Sequence, residues 1–119
     1  MEAASVMNMI MEIRENLTME VRSNSKGSEY LEAVIKGSDL ELLQSIITKY
    51  LGSAAKGPGE EVKFSEEVKK VVDSLGGLRI EQSFFCRLED NRVVFAALWP
   101  WQSDPERITL KAGGFLLNK

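Results

Sequence analysis

The chain has 119 residues, of which 44% are hydrophobic and 28% charged, and it carries a net charge of −3. That balance fits one globular domain spanning residues 1–119 with an apolar core, and it excludes a disordered chain. The mild acidity argues against a nucleic-acid or anionic-membrane binder, and no apolar run reaches the roughly 20 residues of a membrane helix.

Histidine is absent and there is one cysteine. Ser-His-Asp and Cys-His catalysis are therefore excluded, as are zinc sites built from His and Cys. No loop has the pattern of a calcium-binding EF-hand, so no metal or other cofactor is expected. A lone cysteine cannot close an internal disulfide, and the N-terminus lacks the basic start of a secretion signal. A cytoplasmic setting is the expectation.

Taken in order, residues 1–15 carry Val6, Met9, Ile10 and Ile13 at helical spacing, continued by Leu17. Met7, Met9, Met11 and Ile13 alternate as a strand would. Met and Ala favour a helix or helical arm, which is the expectation. Leu17, Met19 and Val21 then alternate with polar residues as a half-buried strand. After the loop SNSKGS, residues 23–28, the segment Tyr30 to Lys36 reads as a second strand. A short helix is its alternative, since Leu31 and Ile35 lie four apart.

Ser38-Asp39-Leu40-Glu41 has the form of a capping box. The helix it opens carries Leu40, Leu43, Ile47, Tyr50 and Leu51 on one stripe, with Gly52 suited to its left-handed stop. Residues 52–61 read as a mobile loop. Gly52 to Gly57 lacks the Lys and Ser or Thr of a phosphate loop, because Pro58 follows. Ser65 caps a second helix whose buried stripe is Val68, Val71, Val72 and Leu75, ended by Gly76-Gly77.

Leu78 to Trp101 is the clearest signal, a β-hairpin. Asp90-Asn91 suits a two-residue turn, because both tolerate positive φ. That turn sets Glu89 against Arg92, Leu88 against Val93, Cys86 against Phe95, Phe84 against Ala97, Gln82 against Trp99 and Ile80 against Trp101. Alternation puts the last four pairs on one face, taken as the core face. Ile108 and Leu110 alternate with Arg107, Thr109 and Lys111, as in a third C-terminal strand that Gly113-Gly114 breaks. The expected fold class is α+β: one mostly antiparallel sheet, an N-terminal strand pair plus the hairpin and third strand, with the two capped helices packed on one face.

Two surfaces draw functional attention. If both helices cover the Cys86 face, then Phe85, Val94, Ala96 and Leu98 form an exposed apolar patch rimmed by Arg79, Glu81 and Arg87. The leading expectation is a non-enzymatic protein-interaction module, most simply a homodimer formed through that patch. The competing explanation is that the N-terminal segment, with Val6, Met9, Ile10 and Ile13, covers this face itself in a three-layer monomer. The alternative is a small-molecule-binding or enzymatic domain with its pocket near Gln82, Trp99 and Trp101. Cys86 reads as a small buried hydrophobe. No carboxylate pair is singled out for acid-base work.

Overall fold

The structure is a computed structural model that describes residues 3–23, 25, 30–52, 56–57, 64–75, 77, 82–89, 92–101, 104 and 106–116. Its elements are α1 (Ala3–Asn16), β1 (Met19–Val21), β2 (Tyr30–Lys36), α2 (Leu40–Leu51), α3 (Glu66–Ser74), β3 (Ser83–Glu89), β4 (Arg92–Pro100) and β5 (Arg107–Leu116). The five strands form one sheet in the order β1-β2-β5-β4-β3. Every neighbouring pair is antiparallel. The C-terminal strand is thus inserted between the N-terminal pair and the hairpin, and it joins them into one α+β fold.

The hairpin has the register its turn implies. Glu89 pairs with Arg92, Leu88 with Val93, Cys86 with Phe95 and Phe84 with Ala97. Asp90, Asn91 and Ile80 lie outside the described residues. Trp101 is a partner of β5, donating its backbone N–H to the Arg107 carbonyl at 2.9 Å.

The layering differs from the expectation of two helices on one face. α1 and α2 together cover one side of the sheet, and α3 packs on the other. On the α1/α2 side, Val6, Met9, Ile10 and Ile13 meet Leu43, Ile46 and Ile47 over Phe85, Val94, Ala96, Leu98, Ile108 and Leu110. On the α3 side, Val71 and Val72 pack on Phe84, Val93, Phe95 and Ala97. Phe64 meets Phe84 edge-on, with ring centroids 5.7 Å apart at 70°. The physical reason lies in β4. Val93 to Leu98 are all buried, and a strand that is apolar on both sides needs a layer on each.

The C-terminal strand also departs from expectation, because it runs through Gly113-Gly114 without a break. Gly113 pairs with Phe95 on β4 and with Tyr30 on β2. Gly114 faces α1: a Cβ there would stand 3.2 Å from Val6 Cγ2 and 3.2 Å from Arg92 Cδ. Neither glycine ends the strand.

The two helix starts differ. Ser65 caps α3, its Oγ accepting from the Val68 N–H at 3.3 Å. The capping box at Ser38 does not form. Residues Gly37–Asp39 make a 3₁₀ turn, the Leu40 N–H donates to the Gly37 carbonyl, and Asp39 at the N-cap makes no side-chain cap bond. The chain enters α2 straight from β2, so a backbone bond of the turn does what the serine was expected to do. Gly52 closes α2 at φ 84°, as its position in the sequence implies.

α1 is tied to α2 by one carboxylate. Glu12 Oε1 accepts from the Tyr50 hydroxyl at 2.7 Å, and Glu12 Oε2 meets Lys49 Nζ at 2.5 Å. These bonds, the one from Lys49 foremost, hold the Glu12 carboxyl below its ordinary range and push the Tyr50 hydroxyl up. On the far side of the sheet, Lys56 closes the β3 edge by exchanging backbone hydrogen bonds with Phe84 at 3.1 and 2.9 Å. This part of the expected mobile loop is therefore pinned.

Candidate functional site

The four residues expected at an interface are interior. Phe85 is 3% exposed, Val94 and Ala96 0% and Leu98 2%. α2, backed by α1, lies over them, so the expected exposed patch does not exist as a surface of this fold. Arg87, expected on its rim, reaches instead to the end of α2, donating from Nη1 to the Tyr50 carbonyl at 3.3 Å. Arg79 and Glu81 lie outside the described residues.

The three residues of the expected pocket differ in burial. Gln82 is buried at 1% exposure beside the edge, where its carbonyl accepts from Lys56 Nζ at 2.6 Å. Trp99 and Trp101 are half-buried, and Trp99 sits at the margin of the cluster under α3. Cys86 is half-buried too, and burial pushes its thiol up, away from the reactive thiolate.

β5 gives the two indoles their setting. The antiparallel register lays Trp99, Thr109, Val34 and Glu20 in one row across four strands. A second row runs from Ala97 through Lys111 to Glu32, and Lys36 stands directly opposite Arg107. Directly opposed residues point to the same side of a sheet, and residues two apart on a strand share that side. Trp99, Trp101, Arg107, Thr109 and Lys111 therefore share the α3 side, beyond the cluster that α3 buries.

Within this group the polar atoms are organised around the rings. The Trp101 indole N–H donates to Thr109 Oγ1 at 2.8 Å, which fixes the ring plane. The Arg107 guanidinium lies 5.5 Å from the Trp101 ring centre, and Lys111 Nζ lies 5.0 Å from that of Trp99. Cations at this distance are drawn to the ring faces. Among the described residues Lys111 makes no ion pair, whereas Arg107 Nε has Asp104 Oδ2 at 3.3 Å.

An open cleft of about 660 Å³ adjoins this surface at the ends of β1, β2 and β5. Arg107 lines it and so belongs to both features. Thr18, Glu20, Val34, Lys36, Ser38, Asp104 and Glu106 complete most of its wall. Among the described residues, no group of three or more Cys, Asp and Glu side chains is gathered to hold a metal ion, and no helix is long and apolar enough to cross a membrane.

The sequence pointed to the indole pair but not to its β5 neighbours. Alternation had already set Arg107, Thr109 and Lys111 on one side of their strand. What it lacked was the strand order that brings that side against Trp99 and Trp101. Compared with known proteins, the chain matches no family model, no curated protein and no solved structure.

Proposed function

We propose that the chain is a non-enzymatic binding domain that seats a small, flat, negatively charged ligand against Trp99 and Trp101. The observation that carries this reading is the pair of half-buried indoles on one side of the sheet, each with a cation over it. A ligand ring can take the place of either cation on an indole face, and the displaced ammonium or guanidinium stays close enough to meet its charge. The indole hydrogen bond to Thr109 supports the reading, because a ring held in place loses little freedom on binding. The half-buried, poorly ionised Cys86 and the absence of histidine favour binding over catalysis. A cytoplasmic setting, supported by the lone cysteine, is part of the same proposal.

A thermal-shift screen of aromatic carboxylates and phosphates, followed by tryptophan fluorescence titration, tests it. A compound that raises the melting temperature should quench the indole emission, and Trp101→Ala should abolish both effects. Stabilisation that survives in Trp101→Ala would put the ligand elsewhere.

A second reading, self-association as a protein-interaction module, is supported by the outer side of α1. Met7 and Met11 stand one turn apart there, 45% and 46% exposed. Light scattering checks it: a dimer that Met11→Glu converts to a folded monomer would favour this reading, and a monomeric wild type would remove it.

A further inference from the structure

We infer that the cleft beside the indoles is a phosphate seat, in which Lys36 and Arg107 hold the anionic head of the ligand whose ring lies on Trp101. This rests on the binding reading above and names the ligand's second half. Lys36 and Arg107 are direct cross-strand partners on β2 and β5. Like charges facing each other across a sheet are unfavourable, and an anion between them reverses the sign.

The acids that line the cleft leave the two cations unequal. Asp104 takes Arg107 Nε at 3.3 Å and also accepts from the Glu106 N–H at 3.2 Å, whereas Lys36 makes no ion pair among the described residues. Glu20 is turned to Arg22, at 3.7 Å. The hydroxyls of Thr18 and Ser38 stand on the same wall and can donate to phosphate oxygens. Val34, buried at 6% exposure, lines the cleft as an apolar residue among these polar groups.

Arg107 makes the link to the ring, because its guanidinium lies over Trp101 while its strand position lines the cleft. The cleft volume falls within the range of small-ligand sites. Glu20, Asp104 and Glu106 line the same cleft and oppose added negative charge, so the seat favours a compact, singly substituted phosphate over a polyphosphate.

The test compares a purine nucleoside, its monophosphate and inorganic phosphate by tryptophan fluorescence and by amide chemical shifts at low salt. The monophosphate should bind at least about tenfold more tightly than the nucleoside, consistent with the strength of charge-assisted hydrogen bonds. Lys36→Gln should erase that difference without lowering the melting temperature, since Lys36 is exposed and its removal relieves a like-charge pair. Glu106→Gln should strengthen monophosphate binding. Inorganic phosphate should shift the amides of Lys36 and Arg107.

Equal binding of nucleoside and monophosphate would overturn the seat and leave the indole reading standing. Binding of inorganic phosphate alone, lost in Lys36→Gln, would keep the seat and overturn the ring. A monophosphate preference that Lys36→Gln leaves intact would overturn the assignment of this cleft, as would no binding by any of the three.

Discussion

The two sides of the sheet carry different loads. The α1/α2 side gathers apolar side chains from all five strands into one cluster, from the half-buried Met19 at one margin to Phe85 at the other. The α3 side is apolar only over β3 and β4 and turns polar and aromatic over β5, β2 and β1. One side therefore supplies most of the stability, which frees the other to expose charges and indoles at little cost to the fold. A binding surface is to be sought where a small domain has finished burying what it needs, not where its strands are most hydrophobic.

The contrast can be broken most severely at the core. Phe85→Ala should cost about 3–5 kcal/mol in denaturant unfolding. A loss within about 0.5 kcal/mol, the usual range for surface substitutions, would mean that α2 does not cover this face. Gly114→Val comes next. The added side chain meets Val6 and Arg92, and overpacking of this kind costs about 1–3 kcal/mol. Calorimetry would register it as a lowered melting temperature.

The helix starts sharpen the comparison at a smaller scale. Ser65→Ala should destabilise by about 1 kcal/mol, because its hydroxyl oxygen caps α3. Ser38→Ala should stay within about 0.5 kcal/mol, because no cap bond is lost. Equal losses at both serines would contradict the 3₁₀ entry into α2.

The clasp between α1 and α2 adds a pH dependence. Its folded-state carboxyl, Glu12, titrates below the ordinary 4.5. Its contribution is therefore complete above that value and is lost as the pH falls through the lowered one. Glu12→Gln should flatten that part of the acid limb of a melting-temperature profile, by a small amount since the pair is exposed. The smallest effect belongs to the open side: Lys111→Ala should change stability by no more than about 0.5 kcal/mol, and in the titration above it should weaken ligand binding.

Much of this was legible locally. Alternation together with a two-residue turn is enough to set the hairpin register from Leu88 to Phe84. The stripe of Val6, Met9, Ile10 and Ile13 is enough for α1. The layering was misread because the run Val93 to Leu98 resembles one buried face and one greasy face when taken alone. Only with α2, and α1 beside it, laid on that second face does the run become a strand buried on both sides.

The candidate site was legible by half for a related reason. Trp99 and Trp101 share a side by simple periodicity. The cations and hydroxyl that surround them come from a strand whose place in the sheet depends on contacts distant in sequence, between β5 and β2. The Ser38 box was misread because its residue pattern is the same whether a loop or a 3₁₀ turn precedes the helix.

The account stands or falls on which side of the sheet is interior, and Leu98→Glu addresses it directly. Circular dichroism melts and light scattering on this variant, run beside Lys111→Glu, would compare a charge placed on each side. Leu98→Glu should fail to fold, because a carboxylate would be buried without a partner. Lys111→Glu should fold with the oligomeric state of the wild type. A Leu98→Glu protein that is folded and monomeric, from a wild type that is dimeric, would contradict the account and make that face an interface.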